Sequence, residues 1–209
     1  MKNLIIIGAR GFGTDMYDLA LKCEGYQKDY KIKGFLDKNK DVLSRFNNYK
    51  PILGSYEEYR IVKNDVFICA FGEVNEKKKC IEVMEEKDAD FISLIHPSAH
   101  IGSNTIINKG CIVSNNAFIG SQSIINEYAL IQTNAIIGHN VKIGKFSRVD
   151  CFTVCVGGVV IKDEVTIHTS AVINKNLVVH SRSTVGTGSF VIRDVMENTT
   201  VFGCPAKRL

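Results

Sequence analysis

The stretch AIIGHNVKIG, residues 135–144, contains the pattern that decides the fold of this chain. Ile137 and Ile143 stand six residues apart, and the residue four positions after an aliphatic of this series is nearly always small or branched. The interval continues without an insertion through sixteen positions, fifteen of them isoleucine or valine and one cysteine. The series comprises Ile101, Ile107, Val113, Ile119, Ile125, Ile131, Ile137, Ile143, Val149, Cys155, Ile161, Ile167, Ile173, Val179, Val185 and Val191.

A six-residue period excludes a helix, because six residues advance a helix by about 1.67 turns and scatter the apolar positions around it. Short strands joined by tight corners fit the period, and this is the hexapeptide pattern of a parallel β-helix. Three hexads make a coil of 18 residues, so residues 18 apart stack about 4.8 Å from each other. Residues 101–190 then form five coils. Residues 193–209 lose the period and are predicted to be a tail that leaves the prism and packs back.

The first 97 residues have a different pattern, in which strand and helix signals alternate. Strands are predicted at NLIIIG, YKIKGFLD, DVFICAF and DFISLI, and helices at TDMYDLALKCEG and NEKKKCIEVMEEKDA. This order is typical of a parallel sheet with right-handed crossovers. The sequence therefore predicts two domains, an α/β Rossmann-like domain over residues 1–97 and a parallel β-helix over residues 98–209.

Composition limits the function classes. The apolar start MKNLIIIG is too short for a membrane span or a signal peptide, which predicts a cytoplasmic protein without membrane contacts. Seven cysteines without a C-x-x-C pair favour free thiols over disulfides or a structural zinc site. Residues 98–209 hold 10 basic and 6 acidic residues, which accounts for the net charge of +4 and favours an anionic ligand. These charges are too sparse, and too few aromatics accompany them, to predict nucleic-acid binding.

His139 is the candidate catalytic residue. Acyl transfer from a thioester requires removal of a proton from the attacking hydroxyl or ammonium group, and imidazole is suited to this step. Gly157 follows 18 residues later, directly over His139 in the next coil, and is itself followed by Gly158. Two glycines at a corner expose backbone N–H groups that can stabilise a developing oxyanion. The alternative is that His139 is a polar spacer at a corner.

Two further patterns indicate binding sites. Thr133, Cys151, Thr169 and Thr187 follow at steps of 18, so a column of small side chains leaves a shallow channel along the prism, unless the threonines only fill corners. The motif GARGFG (8–13) places glycines at a strand-to-helix turn, where the N–H groups of a helix N-terminus favour an anion. Its G-x-x-G-x-G spacing differs from the dinucleotide fingerprint, so NAD is not expected, and a tight structural turn is the alternative.

The motifs IIIGARGFG, GFLDK and ICAFGE, the hexapeptide repeats and the ending VFGCPAKRL together resemble the sugar O- and N-acyltransferases related to bacterial sialic acid O-acetyltransferase and UDP-4-amino-sugar N-acetyltransferase. The resemblance covers nearly the whole chain. It implies a left-handed β-helix, a homotrimer, and acetyl-CoA as a co-substrate in the groove between neighbouring prisms. It also implies acetyl transfer to an amine or hydroxyl of a sugar, free or nucleotide-linked, in the synthesis of surface glycans.

The resemblance also implies roles for residues. His139 is implied as the general base and Gly157 as the oxyanion donor. Asn140 replaces the acid that follows this histidine in the UDP-amino-sugar N-acetyltransferases, and it can accept a hydrogen bond but supplies no charge. Arg148 stands where some relatives use a histidine to touch the cofactor, and an arginine can instead pair with a phosphate. The other implied acetyl-CoA contacts are Gly158, Thr169, Thr187 and Lys207. The implied nucleotide-sugar contacts are Arg10, Gly11, Phe12, Gly13, Asp37, Lys38 and Gly72.

Two alternatives to this activity follow from the same fold. The γ-class carbonic anhydrases share the prism but need three convergent histidines, two of them spaced H-x-x-x-x-H, and this spacing is absent, so no metal is expected. A sugar-binding or scaffold protein without turnover is the other alternative, although a scaffold needs neither His139 nor Gly157.

Phe118, Tyr128 and Phe146 fall at outward or corner positions, which favours a trimer with CoA sites at its interfaces.

Overall fold

The computed structural model describes all 209 residues of the chain. The chain divides into two units, Met1–Leu94 and Ile95–Leu209, with the two-residue strand Leu94–Ile95 at the division. Neither of the two helices has the length and apolar character needed to cross a lipid bilayer.

A three-stranded parallel sheet forms the centre of the first unit. Its strands are β1 (Lys2–Ile7), β2 (Tyr30–Leu36) and β3 (Asp65–Cys69), in the spatial order β2-β1-β3. Helix α1 (Gly11–Lys22) connects β1 to β2, and helix α2 (Val74–Glu85) follows β3. The last four residues of β1 are aliphatic and fully buried, as expected for the middle strand of a parallel sheet. The α/β, Rossmann-like prediction is confirmed for this unit.

Two predicted elements of this unit differ from the structure. The predicted fourth strand over DFISLI is wrong for most of its length, because only Phe91 joins this sheet, through a single bridge to Phe67, and only Leu94–Ile95 forms a strand. Since Ile95 already belongs to the second unit, the segment is too short to extend along β3. Helix α1 begins at Gly11, three residues before the predicted start at Thr14, since the glycine loop itself provides the first helical turn.

The second unit is a parallel β-solenoid whose three sheets form three faces, and the hexapeptide prediction is confirmed. The first face contains the strands Leu94–Ile95, Ile112–Val113, Leu130–Ile131, Arg148–Val149, Thr166–Ile167, Thr184–Val185, Thr200–Phe202 and Lys207–Arg208. The second face contains His100–Ile101, Phe118–Ile119, Ile136–Ile137, Val154–Cys155, Val172–Ile173 and Phe190–Val191. The third face contains Ile106–Ile107, Ile124–Ile125, Lys142–Ile143, Val160–Ile161 and Val178–Val179.

The six-residue period explains the core of the solenoid. Pairs of strands join residues 18 apart, as Ile137 joins Cys155, and the periodic aliphatic residues from Val113 to Val191 are all buried. Ile101 and Ile107 belong to the first coil and are less covered. The corners repeatedly contain a residue with positive φ, most often asparagine, which tolerates this conformation better than most residues.

The C-terminal segment continues the solenoid instead of leaving it. Val195 forms a parallel bridge to Val179, and Thr200–Phe202 pairs in parallel with Thr184–Val185. This pairing spans 16 residues instead of 18, so the last turn is shorter, yet Val195 still packs into the core. The chain turns back only at Lys207–Arg208, which is antiparallel to Thr200–Phe202. The predicted tail is therefore wrong for most of its length, and the six strands of the second face correspond to about six turns instead of five.

Candidate functional site

His139 lies at the corner between the second and third faces of the solenoid. Ile137 and Val141 point inward and are fully buried, whereas His139 and Asn140 are exposed. Asn140 has the left-handed φ of 55° that turns the chain at this corner. Because the His139 side chain contributes nothing to the core, its removal should leave the fold intact.

Gly157 lies against His139 in the next coil, so the stacking predicted from the 18-residue coil is confirmed. The Gly158 amide donates a hydrogen bond to the His139 carbonyl oxygen at 3.0 Å. A β-carbon on Gly157 would lie 2.6 Å from Nε2 of His139 and 2.8 Å from Cε1, so the imidazole fills the space that a side chain would take. The Gly157 amide makes no hydrogen bond within the chain. Gly157, rather than Gly158, therefore has an N–H group free for a substrate oxygen beside an imidazole.

Asn140 controls the second nitrogen of the same imidazole. Nδ1 of His139 lies 2.9 Å from the side-chain nitrogen of Asn140. In this orientation the amide donates to Nδ1, and the proton of the neutral imidazole resides on Nε2. A half-turn of the Asn140 amide brings its oxygen to the same place, where it accepts a hydrogen bond from Nδ1–H and leaves Nε2 free as a base. Asn140 can therefore select the tautomer of His139 although it supplies no charge.

Arg148 lies on the first face, and its guanidinium group is held by Asp150. Nε and Nη2 of Arg148 donate to the two carboxylate oxygens of Asp150 at 2.8 and 2.9 Å. The Arg148 side chain is 17% exposed and the Asp150 side chain 6%. A phosphate would have to compete with this carboxylate for Arg148. Asp150 is not among the predicted site residues, although its i, i+2 spacing from Arg148 places both side chains on one side of the chain.

The column Thr133, Cys151, Thr169 and Thr187 is in register at the corner between the first and second faces. The amide after each of the upper three residues donates to the carbonyl oxygen of the member one coil below, at 3.0–3.2 Å. Thr133 and Cys151 donate hydrogen bonds to side chains of the same corner, whereas the hydroxyl groups of Thr169 and Thr187 make none within the chain. Lys207, also predicted to contact acetyl-CoA, lies exposed in the terminal strand.

The first unit contains a cavity of about 430 Å³ at the carboxyl end of its sheet. Its lining includes residues directly after each of the three strands, the usual position of a ligand site in open α/β sheets. Five of the seven predicted nucleotide-sugar contacts line it, namely Arg10, Phe12, Gly13, Asp37 and Lys38. Gly11 and Gly72 do not line it, and a β-carbon on Gly11 would point into open space. Gly8 of the GARGFG motif also lines the cavity. The lining residues that the sequence did not assign to this site are Leu36, Tyr56, Ala70, Phe71, Glu76 and Lys79.

The glycine loop of this cavity is fixed from two sides. Gly8 has a φ of +99°, and a β-carbon on Gly13 would lie 2.1 Å from the Gly8 carbonyl oxygen, so both positions require glycine. Asp37 accepts hydrogen bonds from the amides of Ala9 at 3.0 Å and Asn39 at 2.9 Å, which ties the loop to the end of β2. No side chain caps the N-terminus of α1. Its first amides are therefore available to an anion in the cavity.

Cations outnumber anions around the cavity. Arg10, Lys38 and Lys79 line it together with Asp37 and Glu76. Arg10 and Lys79 form no ion pair within the chain. This charge balance favours a phosphate-bearing ligand.

Aromatic groups form another part of the lining. The rings of Tyr56 and Phe71 meet edge to face, with centroids 6.2 Å apart. Burial, together with the charge of neighbouring Glu57, raises the pKa of Tyr56 to about 12, so the phenol remains a hydrogen-bond donor at neutral pH. Glu57 is also paired with Lys38 at 2.7 Å. The cavity thus combines unpaired cations with an apolar, aromatic wall, which suits a phosphorylated ligand that carries a ring.

Two family models match the chain in succession. Residues 3–84 match the PglD N-terminal domain, and residues 83–175 match the GMPPB C-terminal domain. Among curated proteins, UDP-N-acetylbacillosamine N-acetyltransferase of Bacillus subtilis (strain 168) is 28% identical over 118 residues, which are 54% of this chain and 51% of that protein. The match therefore spans about half the length of this curated relative.

Solved structures match over the full chain. The acetyltransferase domain of PglB from Neisseria gonorrhoeae FA1090 has a TM-score of 0.89 and 25% identity, with all of both chains covered. The same domain in complex with acetyl coenzyme A has a TM-score of 0.90 at 25% identity, with 100% of this chain and 99% of that chain covered. PerB from Caulobacter crescentus, in complex with CoA and GDP-perosamine, has the same fold, with a TM-score of 0.88 at 21% identity over 100% and 98% of the two chains.

Proposed function

We propose that this chain is a sugar acyltransferase with hexapeptide repeats, and that it transfers an acetyl group from acetyl-CoA to an amine of a nucleotide-linked sugar. An amine acceptor is preferred over a hydroxyl because the similar curated protein is named an N-acetyltransferase of a UDP-linked sugar. The similar PglB domain was solved with acetyl coenzyme A, which supports acetyl-CoA as the donor. The proposed setting is the synthesis of surface glycans in the cytoplasm.

The contact between His139 and Gly157 carries the proposal. In the proposed reaction the acceptor nitrogen attacks the thioester carbonyl carbon, a C–N bond forms, and the carbonyl oxygen becomes an oxyanion. The free Gly157 amide donates to this oxyanion, and Nε2 of His139 takes the proton from the nitrogen. The intermediate then collapses, the C–S bond breaks, and CoA leaves as the thiolate. After a half-turn that brings its amide oxygen to Nδ1–H, Asn140 would hold His139 in the tautomer that this step requires.

The cavity of the first unit is the proposed site for the nucleotide part of the acceptor. The first amides of α1 and the unpaired cations Arg10 and Lys79 supply donors for a diphosphate. Tyr56 and Phe71 supply an aromatic wall for the base. Asp37 holds the glycine loop in place by accepting hydrogen bonds from the amides of Ala9 and Asn39.

A homotrimer is part of the proposal, because one chain does not present all the proposed donor contacts on one surface. His139 and Thr169 lie at the two corners that bound the second face, roughly 15–20 Å apart for one six-residue side of the prism. In the proposed trimer, a donor that lies along one corner of a prism meets the other group on a neighbouring prism. The second face exposes an apolar column, Phe118, Ile136 and Phe190, which an adjacent copy would cover. Tyr128 is buried by stacking on Phe146 and is not part of this surface.

The experiment combines binding with turnover. Thermal shifts are measured for the wild-type chain with UDP-, GDP- and dTDP-linked amino sugars, each with and without acetyl-CoA, because a ligand specific to the native state raises the Tm. The best sugar is then incubated with acetyl-CoA, and the product is analysed by mass spectrometry for one added acetyl group. Acetylated sugar supports the proposal. Sugar binding without any acetylated product would favour the scaffold alternative, and failure to bind CoA would overturn the donor assignment.

A further inference from the structure

Asp150 is a nearly buried carboxylate at the corner between the first and second faces, and it accepts four hydrogen bonds. One oxygen accepts from Nε2 of Gln132 at 3.0 Å and Nε of Arg148 at 2.8 Å. The other oxygen accepts from Nη2 of Arg148 at 2.9 Å and faces Nδ1 of His168 at 3.1 Å. Gln132, Asp150 and His168 follow one another at steps of 18, so the cluster ties three successive coils. The carboxylate has no acceptor position left for a further donor, since the four donors match its four lone-pair directions.

This contact determines the state of His168. A carboxylate can only accept, so Nδ1 of His168 carries the proton that it shares with Asp150. In the neutral imidazole Nε2 then has a free lone pair. The His168 side chain is 40% exposed. The corner therefore presents an oriented hydrogen-bond acceptor toward solvent, immediately before Thr169.

The solenoid does not require this arrangement. His180 occupies the equivalent position of the hexapeptide at another corner, directly after Val179 as His168 follows Ile167. The residue one coil below His180 is Lys162, which offers no carboxylate. A histidine at this register is thus compatible with the fold without an acidic partner, and the Asp150–His168 pair needs another explanation.

Phe152, at the same corner, is a second feature without a structural explanation. It has a φ of 59°, unusual for a bulky residue, and its side chain is 57% exposed. Tyr128 and Phe146 share this conformation, but their rings stack at 5.2 Å and cover each other. The equivalent positions in the coils next to Phe152 are Asn134 and Ser170. An exposed aromatic ring held in a disfavoured conformation is typical of a residue that contacts a ligand or a partner.

We propose that His168, oriented by Asp150, binds the pantetheine arm of the acyl donor, with Nε2 accepting a hydrogen bond from an amide N–H of the arm and the Phe152 ring packing on its methylene groups. This inference rests on the proposed acetyl-CoA-dependent function. It adds His168, Asp150 and Phe152 to the threonine column as a donor-binding corner. Pantetheine fits because it offers amide donors and an apolar chain, which match an imidazole acceptor and an exposed aromatic ring.

The test measures binding of CoA and of ADP, which lacks the pantetheine arm, to the full chain by calorimetry. His168→Ala should raise the Kd for CoA about tenfold, as expected for the loss of one hydrogen bond with some packing, and leave the Kd for ADP within about twofold. His168→Gln, which retains an amide oxygen as an acceptor, should recover part of the affinity. His180→Ala is the matched control and should change neither Kd.

The outcomes separate the two proposals. A wild-type chain that does not bind CoA contradicts the proposed function itself. A wild-type chain that binds CoA, together with a His168→Ala variant that binds it equally well, overturns the donor-binding corner alone. If His168→Ala has a lower Tm and binds CoA and ADP less tightly by the same factor, the Asp150–His168 pair has a structural role. Phe152→Ala then provides a second test of the donor-binding corner with the same two ligands.

Discussion

Replacing Gly157 by alanine would place a methyl group 2.6 Å from Nε2 of His139, 2.8 Å from Cε1 and 3.1 Å from Cδ2. The imidazole has to move by about 0.8 Å to restore an ordinary contact of 3.4 Å. Because His139 is exposed, the ring can move into solvent without disturbing the core. A displacement of about 1 Å in a group that takes part in the chemistry can reduce the rate roughly 10²-fold. We therefore expect kcat of Gly157→Ala to fall by roughly 10²-fold.

The fold of this variant should survive. Gly157 does not have a positive φ, so alanine is compatible with its backbone. The smaller conformational entropy of the unfolded alanine chain would offset part of any remaining crowding. The assay is steady-state acetyl transfer at saturating donor and acceptor, with Tm and the Kd for CoA recorded on the same preparation. The Tm should remain within a few degrees of the wild type.

The neighbouring glycine provides the matched control. Gly158 has a φ of +75°, and a β-carbon there would lie 2.2 Å from Oδ1 of Asn176. Gly158→Ala should therefore cost about 1–2 kcal/mol of stability from the backbone conformation alone, with a smaller effect on kcat than Gly157→Ala. If Gly157→Ala turns over at the wild-type rate while remaining folded, the position of the imidazole against Gly157 is irrelevant to catalysis and the reasoning fails.

The remaining predictions test the base, the acceptor site, the first unit and the assembly. His139→Ala should lower kcat by roughly 10²–10⁴-fold, with Tm and the Kd for CoA unchanged. Turnover within about threefold of the wild type would mean that His139 is only a polar spacer at its corner. Asp37→Ala should raise KM for the nucleotide-sugar roughly tenfold and leave KM for acetyl-CoA unchanged, whereas equal losses would mark a structural role. Burial favours a raised pKa for Asp65, but hydrogen bonds from Lys33, the Val62 amide and Tyr59 outweigh it and hold the pKa below its ordinary value. The resulting contribution of Asp65 to folding stability is present above the unfolded pKa of about 3.9 and is lost as the pH falls through the folded pKa. The urea midpoints at pH 7 and pH 3 should therefore differ less for Asp65→Asn than for the wild type. Light scattering at micromolar concentration should give three times the chain mass of 23.2 kDa, and a monomer would contradict the trimer.

The solenoid was predictable because its signal is local and repeated. Each hexad places one residue of the periodic series toward the core, and sixteen such positions in succession fit only a solenoid of short strands. The coil length follows from the period, which is why the contact between His139 and Gly157 could be located from residue numbers alone. The same reasoning failed for the C-terminal segment, since Val195 and Val201 still point inward in a turn two residues shorter than the others.

The cavity of the first unit was only partly predictable. The glycine loop and Asp37 carry a recognisable motif at the ends of β1 and β2. Tyr56 and Lys79 lie on a loop and a helix that are distant from this motif along the chain, and no local pattern connects them to it. Their presence in the lining depends on how the chain packs across the end of the sheet.

The sequence by itself determined the two units, the faces of the prism and the corner at which each residue of the periodic segment lies, because these depend on the backbone period. Only the tertiary structure decided which side chains meet at a corner, because stacking at a step of 18 residues sets the distance between backbones and leaves the rotamers open. The difference is plain at Asp150. Its carboxylate turns toward both Arg148 and His168. This single buried anion neutralises Arg148, the residue predicted to pair with a phosphate, and it also orients the imidazole of His168. The six-residue period alone does not reveal either contact.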